Sequence, residues 1–238
     1  MNYSLGVSQK RLFITAITGA VICFIGDNLL GYFTPAPDFG SKLLCINFSY
    51  EWADADPLRF AAAGACGVVA LLMMFAGFYG IYLRIRETDK RTAKIFLFSS
   101  FVFVSVGTLY HNVFAASAYI YNRLCENGFD SAEGFSLDFF NTFIAVGALA
   151  AAGYIGMAVT LFVAVLKGGV LSNKRMCLVN PLVFMAVCVA LSKLLPQTPF
   201  VNGVFGLGQQ SIGLFIVFCV FLFSKSNTVA FAGGNDDE

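Results

Sequence analysis

The chain has 238 residues, of which 58% are hydrophobic and only 12% are charged. A soluble domain needs more charge to cover its surface, so this composition is typical of helices that lie in lipid. The net charge of +1 argues against a nucleic-acid partner, which would require a concentrated basic face.

Six apolar runs are long enough to cross a bilayer, which takes about 20 helical residues. They predict an all-α, polytopic membrane protein with a single six-helix transmembrane domain over residues 1–225. The fifth run is the shortest, so a five-span alternative stays open. The polar and acidic segment 226–238 is predicted to be a disordered tail. The predicted spans lie near residues 12–34, 58–83, 95–122, 138–166, 176–195 and 203–224.

Most of the 15 Lys and Arg residues flank one end of these spans. The positive-inside rule assigns that end to the cytoplasm and predicts that both termini are cytoplasmic. The expected location is the cell membrane, which is the inner membrane if the source is bacterial. The residues on the basic side are Lys10, Arg11, Arg84, Arg86, Lys90, Arg91, Lys94, Lys167, Lys174, Arg175 and Lys225.

Asp27 in the first span and His111, the only histidine, are predicted to lie at one membrane depth. Asp27 follows Arg11 by roughly 24 Å of helix and His111 follows Lys94 by roughly 25 Å, at 1.5 Å per residue. An ionisable side chain inside a membrane marks a candidate functional site. The pair could exchange a proton or act as general acid and base. The alternative is a hydrogen bond that only orders the helices, worth roughly 0.6–2 kcal/mol.

Further polar side chains are predicted to reach the same depth and to form one cavity, open to the outer side or to the outer leaflet. The glycines at 203, 206 and 208 predict irregular backbone, which is tolerated at membrane depth only where it is buried or lines a cavity. The predicted ligand-binding residues are Asn28, Tyr32, Arg59, Asn112, Asn141, Gln209 and Gln210.

The two large outer loops each carry one cysteine, Cys45 in residues 35–57 and Cys125 in residues 123–137. In an oxidising compartment these two could form a disulfide that ties the loops together, provided that their Cα atoms lie within about 7 Å. The other cysteines fall in apolar segments and are interpreted as small packing residues.

No metal or cofactor is predicted. A catalytic zinc commonly takes several histidines, whereas this chain has one and has no second acid deep in a span. Gly206 and Gly208 have the spacing of a nucleotide-binding fingerprint but follow no strand. The sequence also lacks the Gly-x-Ser-x-Gly motif of serine hydrolases.

The segment Ile25–Tyr32, Ile-Gly-Asp-Asn-Leu-Leu-Gly-Tyr, resembles the first-helix signature of an uncharacterised family of bacterial six-span membrane proteins, and Tyr110-His111-Asn112 fits the same family. The Gly-Asp-x-Leu-Leu core is also similar to a motif of lysoplasmalogenase-like membrane proteins. That resemblance implies hydrolysis of the vinyl-ether bond of lysolipids by acidic residues. Those proteins typically have more spans and a second intramembrane acid, for which this chain offers no match.

These observations favour a membrane protein whose pocket binds a small amphiphile or lipid. In an enzymatic version the pocket also processes the ligand, with Asp27 as acid or base and His111 as its partner. One alternative is a proton-coupled carrier or channel that uses the same pair. A second alternative is a structural subunit of a membrane complex. The expected partner is a membrane lipid or small amphiphile, and the many Gly and Ala faces also allow a homo-oligomer.

Overall fold

A computed structural model describes residues 7–41, 46–168, 170–171 and 173–224. The described chain is helical apart from two short antiparallel strands, β1 (Gly40–Ser41) and β2 (Ile46–Asn47). The predicted tail 226–238 and Cys45 lie outside the described residues. The helices are α1 (Val7–Gly31), α2 (Pro57–Thr88), α3 (Lys90–Glu126), α4 (Ala132–Thr142), α5 (Ile144–Lys167), α6 (Pro181–Leu194), α7 (Pro199–Val201) and α8 (Gln209–Phe223).

Three of the helices begin at caps that the sequence encodes directly. The side chains of Asp56, Asp89 and Asn180 accept hydrogen bonds from backbone N–H groups in the first turns of α2, α3 and α6. Pro57 and Pro181 occupy the first helical positions, where a missing N–H costs nothing. These local signals fix where the chain enters each helix.

The prediction of an all-α fold with several membrane-length apolar helices is confirmed. Among the described residues α1, α2, α3 and α5 are long and apolar enough to cross a membrane, and the bent pair of α7 and α8 gives a fifth candidate. Helix α6 has only 14 residues. At 1.5 Å per residue it measures roughly 21 Å, which is less than a bilayer core of about 30 Å. The six-span count therefore stays a prediction.

Two of the predicted spans are interrupted. The span predicted at 138–166 is divided at Phe143, where α4 ends and α5 begins. The last span starts with α7, passes through a π-helical segment (Asn202–Leu207) and bends by 54° before α8. The irregular backbone predicted around Gly203, Gly206 and Gly208 is thus confirmed. A π-helical turn is rare and occurs frequently at functional sites.

The bundle has two packed cores, one toward each end. We call the end with residues 32–41 and 46–56 the loop end, and the end where α1 begins and α8 finishes the terminal end. At the loop end Trp52 and Phe48 are buried among aromatic rings, and Asn122 donates to the carbonyls of Trp52 and Ala55 at 2.9 and 2.8 Å. At the terminal end the core is formed by Phe13, Phe78, Phe96, Phe218 and Phe221, among other apolar residues.

Arg84 joins three helices at the terminal end. Its side chain is only 2% exposed. Its guanidinium donates to the Phe221 carbonyl at 2.5 Å and to the Ser224 hydroxyl at 2.8 Å. It also lies over the rings of Phe13 and Phe221, with its central carbon 5.2 and 5.1 Å from their centroids. Arg84 therefore closes the C-terminal end of α8, whose last carbonyls have no partners within the helix.

Replacing Arg84 with Met should lower the free energy of unfolding by about 2–4 kcal/mol, because the hydrogen bonds of a charged donor are lost at a buried helix end. Thermal unfolding or denaturant titration in detergent measures the change. Arg86→Met is the matched control, since Arg86 lies on the same helix and is exposed. Equal losses in the two variants would contradict the role of Arg84.

Asp89 joins α3 to α5 at the terminal end. One carboxylate oxygen contacts the Lys167 ammonium at 2.6 Å and accepts from the Thr92 hydroxyl at 2.7 Å, while the other caps α3. The Lys167 contact and the hydrogen bonds from Thr92 hold the pKa of Asp89 well below its ordinary value of 3.8. A carboxyl group with a lowered pKa in the folded state stabilises that state above its ordinary pKa.

This contribution should be complete at neutral pH and should disappear as the pH falls below about 4 toward the folded-state pKa. The difference in melting temperature between the wild type and Asp89→Asn should therefore shrink on acidification. Lys167→Met should reproduce much of the effect, whereas Lys174→Met, at an exposed position, should not. A difference that stays constant with pH would show that Asp89 acts only as a neutral cap.

Candidate functional site

A cavity of about 430 Å³ lies inside the bundle, between α1, α3 and α5 on one side and α6, the π-helical segment and α8 on the other. At the loop end its lining includes the polar residues Asn47, Lys193 and Gln197, beside the apolar Pro35 and Ile46. Deeper walls are mainly apolar, with Leu71, Met74, Phe103 and Leu214 among them. This volume falls in the range of small-molecule sites.

The Asp27 carboxylate is part of this lining and is only 9% exposed. One of its oxygens accepts a hydrogen bond from the Ser211 hydroxyl of α8. Its other oxygen lies 3.8 Å from Nδ1 of His111 on α3. The thiol of Cys23, one helical turn away on α1, adjoins the carboxylate as well. Three helices thus converge on a single buried acid.

The His111 ring is held in one orientation. Its Nε2 lies 3.1 Å from the Ala63 carbonyl of α2, and a carbonyl can only accept, so Nε2 carries a hydrogen. In the neutral ring Nδ1 is then bare and faces Asp27. Gly67 makes room for the ring, because a Cβ at that position would overlap it.

Gln209 and Gln210 also line the cavity, whereas the other predicted ligand-binding residues do not. Arg59 donates to the carbonyls of Leu29 and Asn28 at 2.6 and 3.2 Å, and its guanidinium lies over the Phe33 ring. It closes the C-terminal end of α1 and does not reach the cavity lining.

The remaining predicted residues at this depth face other surroundings. Asn28 donates to a carbonyl of its own helix at 2.8 Å, and Tyr32 is half exposed. Asn112 lines a separate shallow groove beside Gly64. Asn141 accepts from the Ser41 hydroxyl at 3.0 Å. The Cys45–Cys125 pairing stays a prediction, because Cys45 lies outside the described residues.

Sequence reasoning missed several polar residues of the cavity, among them Ser211 and Tyr154. Ser211 directly follows the predicted glutamines and lies on the first turn of α8. Tyr154 is the only residue between 144 and 159 with a polar side chain, a signal that could have drawn attention to it. Both the Tyr154 hydroxyl and the side-chain oxygen of Gln209 are buried without a hydrogen-bond partner among the described residues.

The arrangement limits the chemistry that these side chains can perform. Ser211 donates to Asp27 and not to His111, so the three do not form the relay of a serine hydrolase. Asp27 is the only carboxylate among the described residues that line the cavity. In the part of the chain that the structure describes, no three His, Cys, Asp or Glu side chains gather as a metal site.

Comparison with known proteins places the chain in a family without assigning an activity. No curated protein and no solved structure matches it. The comparisons therefore do not support the similarity to lysoplasmalogenase-like proteins, while they agree with membership of an uncharacterised family. A family model matches residues 1–228, nearly the full length. The chain belongs to the family described as "Family of unknown function (DUF6796)".

Proposed function

We propose that this protein binds a small amphiphile in the cavity beside Asp27. The observation that carries the proposal is the distribution of polarity in one continuous cavity. Amide and ammonium groups lie at the loop end, and the deeper walls are mainly apolar apart from the polar group around Asp27. Such a lining complements a molecule with a polar head and an apolar chain, because each part meets a matching surface.

The chemistry of the rim favours a head group that is polar or anionic. Lys193 is the only Lys or Arg among the described residues that line the cavity, and Asn47, Gln197 and Asn202 supply neutral amides. Arg59, one of the predicted ligand-binding residues, instead donates to backbone carbonyls of α1. Lys193 takes its place in the proposal.

In this proposal the chain is a six-span protein of the cell membrane with both termini in the cytoplasm. If α6 and the bent α7–α8 pair each cross the membrane, the basic residues near positions 10, 86, 90 and 174 all lie on the same side of it. The loop end then faces outward, and the ligand enters from the outer side.

Filling the cavity should weaken amphiphile binding strongly. Ala151 lines the cavity and its neighbour Ala152 does not, although both are exposed positions on α5. Ala151→Phe should weaken binding of a fluorescent fatty acid at least tenfold, because the ring occupies the space for the chain. Ala152→Phe should bind like the wild type.

Titration of each purified variant in nanodiscs measures this difference, and native mass spectrometry with lipid extraction identifies any natural ligand. Equal affinities of the two Phe variants would place binding outside the cavity. The absence of binding in the wild type would contradict the proposed function.

Proton-coupled transport is the second candidate, favoured by the position of His111 Nδ1 opposite the Asp27 carboxylate. It requires a path to both sides of the membrane. The terminal-end core is built from apolar residues such as Phe13, Phe78 and Phe218, which provide no such path in the described structure.

We therefore expect liposomes with the wild type to show no proton flux beyond that of Asp27→Asn, with or without a fatty acid. A pH-sensitive dye inside the liposomes provides the measurement. Asn preserves the size of the side chain and can still accept from Ser211, so the variant should fold. A flux that disappears in Asp27→Asn would favour the carrier instead.

A further inference from the structure

Two acceptor atoms face each other in the lining of the cavity. Oδ1 of Asp27 lies 3.8 Å from Nδ1 of His111, which is beyond the length of a direct hydrogen bond, about 2.7–3.2 Å. Nε2 of His111 holds its hydrogen toward the Ala63 carbonyl, so Nδ1 of the neutral ring has a lone pair and no hydrogen. The Ser211 hydroxyl donates to the other oxygen of Asp27. Oδ1 and Nδ1 are therefore both open to a donor that the pair itself does not supply.

The negative charge of Asp27 also lacks a permanent counter-charge. Among the described residues no Lys or Arg forms an ion pair with it. Lys193, the only Lys or Arg of the described lining, lies at the loop end. A carboxylate that is buried without a cation is costly in a membrane protein. A positive charge brought by a ligand would offset that cost.

Both side chains border the open space of the cavity. The side chain of Asp27 is 12% exposed and that of His111 is 13% exposed, and both belong to the lining. Asp27 lies four residues before the end of α1, roughly 6 Å along the helix from its loop end. Leu71 and Met74 of the lining follow Ala63 on α2 by roughly 12 and 16 Å, toward the terminal end. The acid and the histidine thus lie between the rim and apolar walls, at the level of a head group.

We infer that the ligand carries a primary ammonium group, which donates one hydrogen to Asp27 and one to His111. A nitrogen about 2.8 Å from each acceptor can bridge a separation of 3.8 Å, because that separation is less than twice the hydrogen-bond length. A primary ammonium supplies three hydrogens together with a positive charge. A hydroxyl has one hydrogen and no charge, and a trimethylammonium group has a charge and no N–H.

The ligand class is a single-chain amphiphile with a primary amine in its head group. The apolar chain then contacts the deeper walls, and the rim receives any further polar or anionic part of the same head. This inference rests on the proposed function and names the ligand class of the same cavity.

Four probes with the same chain separate charge from hydrogen bonding: dodecylamine, dodecyltrimethylammonium, dodecanol and dodecanoic acid. Each competes with a fluorescent fatty acid on the full-length protein in phosphatidylcholine nanodiscs. The wild type should bind dodecylamine at least tenfold more tightly than the other three, as expected for hydrogen bonds between charged groups. Equal affinity for all four would overturn the inference and leave amphiphile binding intact. Failure to bind any probe would contradict the proposed function as well.

Asp27→Asn should reduce the preference for dodecylamine over dodecanol about tenfold, because the amide keeps an acceptor but has no charge. Asp138→Asn is the matched control, since Asp138 is exposed on α4 and does not line the cavity. It should keep the preference of the wild type. Comparing ratios of affinities between variants cancels differences in how the probes partition into lipid. A preference that Asp27→Asn leaves unchanged would place the amine elsewhere and overturn the inference.

Nuclear magnetic resonance of the ring gives a readout that is independent of affinity. His111 is the only histidine, so protein labelled with ¹⁵N-histidine reports this ring alone. Dodecylamine should shift the Nδ1 resonance, because the lone pair accepts a hydrogen bond, whereas dodecyltrimethylammonium should not. An Nδ1 that already carries a hydrogen in the ligand-free protein at neutral pH would overturn the inference, because the pair would then have its own donor and counter-charge.

Discussion

The buried carboxylate of Asp27 sets the arrangement of the helices around it. A carboxylate in an apolar interior is costly unless it is paired or hydrogen-bonded. Here α8 contributes the Ser211 hydroxyl and α3 contributes His111, while α2 holds the His111 ring through the Ala63 carbonyl. Satisfying one acid on α1 therefore fixes the relative positions of four helices. A slide of α8 by one turn would remove the Ser211 hydrogen bond, and a slide of α3 would remove His111.

Helix α2 supports this arrangement from both of its ends. Helix C-termini leave carbonyl groups without internal donors, and in an apolar surrounding each one needs a partner. Arg59 supplies donors to the end of α1, and Arg84 supplies them to the end of α8. Both guanidinium groups thus donate hydrogen bonds to helix ends within the protein. Among the described residues that line the cavity, Lys193 is then the one cation. The sequence position of Arg59 predicted its depth correctly but did not show that its guanidinium is used at a helix end.

The depth of a side chain along its helix could be predicted from the sequence, whereas the neighbour that this side of the helix faces could not. Counting residues from Arg11 and Lys94 brought Asp27 and His111 to one level, and the structure places them 3.8 Å apart. Asn112 shares that level but faces a different groove. These helices are apolar on nearly all sides, so hydrophobic periodicity gives little indication of which side faces protein. Tyr154 was overlooked for a related reason, because an aromatic residue in an apolar run is ordinary in membrane helices.

The bend before α8 links the acid to the cavity. Because the chain turns by 54° there, α8 begins at depth, and its first turn supplies Gln209, Gln210 and Ser211 to the site. The same turn therefore supplies both the hydrogen-bond donor of Asp27 and part of the cavity lining. Asn202, just before the bend, donates to carbonyls at the end of α1 at 2.8 and 3.2 Å. A shift of this segment would therefore change the cavity lining and the surroundings of Asp27 together.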